Sequence, residues 1–193
     1  MMKTLIVVLL IFLTACSLPT TPETKIYSLN MQTENKLKDK VIDASLAIIV
    51  DSPRYLSQPY IVYRDSPYQL NISRYSRWDN PPSVIVSENL KDSLSNVFNA
   101  VMVSNTVPEG FYALNIKLRK FERIDEGNNS SGTLIFDFKL IAPDGRYLHQ
   151  GAILKVVKLD DRSFLSLAKG MSIALKEGTE EMRMSIIKSI DMK

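Results

Sequence analysis

Cys16 is the only cysteine in the 193 residues, and it closes the run Leu13-Thr14-Ala15-Cys16. An apolar residue, two small residues and a cysteine form the bacterial lipobox, whose cysteine sulfur takes a diacylglyceryl group through a thioether. Met1-Met2-Lys3 and an apolar run over residues 5–13 precede it. That run is too short for a spanning helix of ~20 residues and has the form of a secretory signal core. The expectation is a signal peptide over residues 1–15 and an acylated Cys16, palmitate being one such acyl chain. Each buried methylene contributes about 0.8 kcal/mol, so several chains anchor firmly where one is marginal. A capped sulfur leaves no thiol for disulfides or nucleophilic catalysis.

The remaining chemistry is sparse. His149 is the only histidine, and no HxxxH or cysteine spacing accompanies it as a metal site would require. Neither a GxSxG turn nor a Walker A motif occurs, so nucleophilic hydrolysis and ATP turnover have no visible machinery. Asp160-Asp161 lacks further oxygen ligands at loop spacing and reads as the turn leading into a helix. No enzyme, metal or cofactor is expected, and His149 reads as structural. An envelope hydrolase with His149 as its base is the reading this weighs against. Removing residues 1–15 takes Lys3 from the 24 basic side chains and leaves 23 against 21 acidic ones. That balance favours no polyanionic partner, nucleic acid included.

Residues 53–82 hold five of the eight tyrosines, five of the nine prolines and the only tryptophan. The prolines punctuate short extended pieces with turns. Tyr55, Tyr60, Tyr63, Tyr68, Tyr75 and Trp78 can each bury a ring and still satisfy a polar tip. Two readings stand: a half-wet binding surface, or ordinary core and edge-strand aromatics. Arg64, beside Tyr63, suits a partner carboxylate or a lipid phosphate.

Tyr55-Leu56, then Ile61-Val62-Tyr63-Arg64, Tyr68-Gln69-Leu70 and Arg77-Trp78, followed by Pro81-Pro82 and a helical segment, resembles the ABC-type transport auxiliary lipoproteins. The order and spacing of the blocks carry the resemblance, which is diffuse outside residues 53–98. Asp79 departs from the small residue expected after the tryptophan. The resemblance implies a compact α/β domain that works beside MCE-type or ABC transporter subunits.

The elements that hold these residues follow from periodicity. Residues 17–40 are polar and read as a tether, except Ile26-Tyr27-Ser28-Leu29, which suits a short strand or a docking patch. Residues 41–50 read as a buried strand, and 61–64 and 68–74 as a hairpin with Tyr68, Leu70 and Ile72 on one face. After Pro82 a helix capped by Ser83 carries Val86, Leu90, Leu94 and Val97 or Phe98. A short strand follows at 101–103. Leu114, Ile116 and Leu118 alternate with polar residues over 112–123. Residues 126–132 read as a flexible hairpin connection, and 133–142 and 147–157 as two further strands. The last segment, 163–190, has Phe164, Ala168, Met171, Leu175, Met182 and Ile186 at helical spacing. Gly170 and Gly178 weaken it by about 1 kcal/mol each, so a bend or break is expected near Gly178.

These elements predict an α+β fold: a single domain over 41–193, mainly an antiparallel sheet with two helices packed on one face, behind a lipid-anchored tether over 16–40. Ser17 after the cysteine, where an aspartate favours inner-membrane retention in enterobacterial lipoproteins, points to the periplasmic face of the outer membrane. The expected function is a lipid-anchored auxiliary subunit of an ABC/MCE-type envelope system for intermembrane lipid transport, acting as a docking adaptor, alone or as a homo-oligomer. Tyr55, Ile61, Tyr63, Arg64, Tyr68 and Trp78 are the candidate partner-binding residues. The alternative is a pilotin-like assembly lipoprotein of an outer-membrane complex.

Overall fold

The computed structural model describes residues 22–31 and 42–191. The expected signal peptide, Cys16 and most of the expected tether lie outside the described residues. In chain order the elements are β1 (Lys25–Tyr27), β2 (Ile42–Asp51), β3 (Tyr60–Ser66), β4 (Gln69–Trp78), α1 (Pro82–Leu94), β5 (Phe98–Val103), β6 (Tyr112–Glu126), β7 (Asn129–Ile141), β8 (Tyr147–Lys158) and α2 (Phe164–Asp191). They make the expected α+β domain: one mixed eight-stranded sheet with two helices.

β6 is the hub. Along one edge β7 pairs with it antiparallel, and β8 continues antiparallel beyond. The other edge is shared in tandem. β2 runs parallel to β6 from Leu46↔Tyr112 to Asp51↔Lys117, and β3 takes over with Tyr63↔Arg123 and Arg64↔Ile124. β5 extends β2 in parallel, while β4 and then β1 extend β3. The long pairings are the local hairpins and are antiparallel. The parallel ones join distant segments, which periodicity does not report.

The core lies between the sheet and the helices. Leu114, Ile116 and Leu118 of β6 and Leu134, Phe136, Phe138 and Leu140 of β7 are buried there with Val86, Leu90 and Leu94 of α1 and Met171, Leu175, Met182 and Ile186 of α2. Strand residues two apart share a face, and helix residues three or four apart share a stripe, so both patterns deliver their apolar members to one interior.

Several local expectations are corrected. Ser83 does not cap α1: Pro81 occupies the cap with no side-chain hydrogen bond, and Pro82 is the first helical residue. Its fixed φ and missing N–H suit that position, where the N–H would have no helical partner. Residues 126–132 make the expected hairpin, but most of them belong to its strands and not to a flexible connection. The strands run on to Glu126↔Asn129, and Gly127 at φ 57° supplies the positive φ that a two-residue loop demands. α2 is unbroken through Gly178. A Cβ there would lie 2.9 Å from Ile153 Cγ2, and one at Gly132 on β7 would lie 3.2 Å from Met171 Sδ. These glycines let the helix approach the sheet closely. Finally, β1 pairs with β4 and Tyr27 meets the Phe164 ring at 6.3 Å, so the folded unit begins well before residue 41.

Candidate functional site

The register of β6 against β7 shifts between Leu118 and Lys120, leaving Arg119 as the extra residue of a bulge. An extra residue exchanges the two faces of the strand beyond it. Before the bulge the even-numbered residues face the helices; after it the odd-numbered ones do. Phe121, Arg123 and Asp125 therefore turn inward, and Lys120 and Glu122 reach the face that no helix covers.

The bulge sits where β2 has ended and β3 has not begun. A short 3-10 turn, Arg54–Leu56, fills the interval, with Leu56 fully buried and Tyr55 Oη donating to the Arg119 carbonyl at 3.4 Å. Beside it Glu122 is 0% exposed although it is on the uncovered face. Arg64 Nε donates to both of its carboxylate oxygens at 3.0 and 3.1 Å, and Lys120 Nζ lies 3.4 Å from Oε1. A carboxylate withdrawn from water is costly unless paired in this way. Next to the cluster an open hollow of about 570 Å³ is lined by Arg54, Tyr55, Gln58 and Tyr60.

Burial first, then the charge of Glu122, hold the Tyr55 phenol above its ordinary value of 10.0, and the Arg64 guanidinium opposes both. A raised phenol favours the protonated form in the folded chain. Its contribution is intact below pH 10.0 and is lost as pH rises through the folded value. Tyr55→Phe is therefore expected to flatten the loss of stability above pH 10.0, read by denaturant unfolding at several alkaline pH values. An unchanged alkaline slope would contradict this placement of the phenol.

The six expected contact residues do not form one surface. Tyr55 and Arg64 meet around Glu122. Tyr68 stands apart at the β3–β4 turn, 96% exposed. Ile61 and Trp78 are core residues at 0% and 2% exposure, and the Trp78 ring packs edge-on against Phe121 at 5.4 Å. Tyr63 follows the alternation of β3 to the face opposite Arg64. There its ring lies 6.1 Å from Phe164, beneath the Arg123 guanidinium at 4.9 Å. Assigning consecutive strand residues to one surface conflicts with the two-residue period.

Two groups were missed in the sequence: the Glu122 clamp and a second network on the helix side. Arg123 donates to Asp125 Oδ2 from Nε at 3.2 Å and Nη2 at 2.9 Å, and Ser130 Oγ donates to Asp125 Oδ1 at 2.5 Å. The signal was available in Phe121-Glu122-Arg123-Ile124-Asp125, where apolar and charged residues stop alternating in the earlier phase. His149 hydrogen-bonds Ser185 of α2 and packs against Phe138 at 5.5 Å. Asp161 accepts from the Ser163 N–H at 2.7 Å in the turn before α2. Among the described residues no three His, Cys, Asp or Glu side chains gather as metal ligands.

A family model described as ABC-type transport auxiliary lipoprotein component matches residues 27–183. The chain belongs to that family. An auxiliary lipoprotein of ABC-type transport is a membrane-anchored envelope component, and the matched residues begin at Tyr27, the last residue of β1, and include every later strand. Protein XCC0632 from Xanthomonas campestris is similar to this auxiliary lipoprotein at 18% identity, with TM-score 0.72, over 82% of this chain and 92% of that one. A crystal structure of an uncharacterized protein is similar at 16% identity, with TM-score 0.64, over 86% and 99% of the two chains. These likenesses show the fold alone. No curated protein matches the sequence.

Proposed function

We propose that this auxiliary lipoprotein, held by acylated Cys16 at the periplasmic face of the outer membrane, docks on MCE-type subunits of an ABC transporter that moves lipid between the membranes. Tyr55, Arg64 and the hollow lined by Arg54, Gln58 and Tyr60 are the contact. The observation that carries this reading is the Glu122 clamp: a carboxylate 0% exposed on an uncovered sheet face, bound by Arg64 beside Tyr55. Tyrosine and arginine dominate interfaces because they bring large area and several donors at low entropic cost. Here both are already fixed by Glu122 and by the Arg119 carbonyl, so little freedom is lost on binding. Assembly with further copies of the chain belongs to the same proposal, since among the described residues β8 pairs only with β7 and leaves one long edge of backbone groups for another strand.

Co-purification of the full-length lipidated protein from membranes tests the contact. Gln58→Trp fills the hollow from an exposed position and leaves the fold intact, and Tyr55→Ala removes the aromatic anchor. Each is expected to lower recovery of MCE-type and ABC subunits by about tenfold or more, while thermal unfolding of Gln58→Trp stays at the wild-type temperature. Undiminished recovery in both variants would reject this surface. Recovery of an outer-membrane pore alone would favour the pilotin-like reading.

A further inference from the structure

The edge of the sheet formed by β1 and β4 carries a set of exposed side chains that neither the core nor the Glu122 cluster uses. Ser76 and Trp78 of β4 are buried at 7% and 2% exposure, and Tyr27 of β1 packs toward Phe164. The residues that alternate with them turn the other way. Ile26 is 69% and Tyr75 43% exposed, and Ile26 is paired in register with Arg77. Arg77 and Arg74 are both exposed, and neither forms an ion pair among the described residues. An exposed aliphatic, a tyrosine with a polar tip and two unpaired arginines on one edge match the chemistry of a bilayer interface with anionic headgroups.

The chain itself brings that edge to a membrane. Cys16 and Lys25 are nine residues apart, which spans about 30 Å at full extension. An anchor on Cys16 therefore holds β1 closer to the lipid than any other strand is compelled to be. We infer that the β1–β4 edge, through Ile26, Tyr75, Arg74 and Arg77, rests on the anionic headgroups of the membrane that holds the lipid anchor. The sheet stands on this edge, with Tyr55 and Arg64 to one side of the contact. The inference rests on acylation of Cys16 and is independent of what docks at Tyr55.

With Cys16 acylated, a cysteine introduced elsewhere is the only labelled thiol. The full-length lipidated protein carrying Ile26→Cys, Tyr75→Cys or Met184→Cys, each bearing an environment-sensitive fluorophore, is reconstituted into phosphatidylethanolamine–phosphatidylglycerol vesicles. Met184 is the control, 55% exposed on α2. Labels at 26 and 75 are expected to shift to shorter wavelength and to be quenched by brominated acyl chains. The label at 184 should do neither. Vesicles of phosphatidylcholine, high salt, or Arg74→Ala with Arg77→Ala should reduce the quenching while the protein still floats with the vesicles. Labels at 26 and 75 as water-exposed as the one at 184, on floating vesicles, would overturn the inference. So would shielding of 26 and 75 only when a transporter protein is added. Failure to float at all would instead overturn the Cys16 anchor on which the inference rests.

Discussion

Trp78→Ala is expected to cost about 3–5 kcal/mol of stability and to lower the unfolding temperature by roughly 10 °C. The indole is 2% exposed and meets Phe121 edge-on at 5.4 Å and 82°, an arrangement that adds to the area it buries. Removing it opens a cavity between β4 and β6 that packed neighbours fill only in part. Its Nε1 has no hydrogen-bond partner among the described residues, so Trp78→Phe leaves no acceptor stranded and should lose clearly less. Thermal and denaturant unfolding of the two variants checks this. A normal unfolding temperature for Trp78→Ala, together with lost partner capture, would return Trp78 to the binding surface.

Trp78 also shows what the sequence could and could not convey. An aromatic with a polar tip suits a core or a rim equally, and only its position in β4, two residues from buried Ser76, separates the two. The one-sided patterns were legible: Val86, Leu90 and Leu94 on α1, and Leu134, Phe136, Phe138 and Leu140 on β7, each keep a single period from end to end. β6 does not. Its bulge at Arg119 reverses the phase, so Arg123 and Asp125 turn to the helix side and Glu122 to the uncovered side. Nothing in the local composition of residues 112–118 announces that reversal. Tyr55 stood out in the sequence because it and its neighbours carry the family pattern. The partner that fixes Arg64, Glu122, is 58 residues away, and a single sequence does not encode which distant strand lies alongside.

Arg123→Ala carries the second large expected effect. Arg123 and Asp125 side chains are 7% and 5% exposed, and the guanidinium also lies over the Phe164 ring at 5.1 Å and donates to the Arg162 carbonyl. Deleting it strands the Asp125 carboxylate in the interior with only Ser130 to bind it, which costs about 3–5 kcal/mol. It also frees the start of α2, since Arg123 joins β6 to the turn before Phe164. Replacing both members, Arg123→Met with Asp125→Leu, should recover much of the loss, because no uncompensated charge remains. A double-mutant cycle by chemical denaturation measures the coupling. Additive losses, with no recovery in the double variant, would contradict the pairing.

The two charged groups serve different ends in this account. Arg123–Asp125 lies between the sheet and α2 and holds the architecture. Arg64–Glu122 lies on the uncovered face beside an open hollow, next to Tyr55, whose hydroxyl the Arg119 carbonyl holds. That difference makes the uncovered face the one to probe.

The most direct measurement is in-cell photo-crosslinking from position 58, with the same photoreactive residue at position 184 on α2 as the control and Cys16→Ala as the unanchored chain. Position 58 is expected to capture an MCE-type transporter subunit and position 184 not to, and Cys16→Ala is expected to abolish or sharply reduce the capture. Equal capture at both positions, or capture at 58 of an outer-membrane pore and no transporter subunit, would contradict docking through the Tyr55–Arg64 surface.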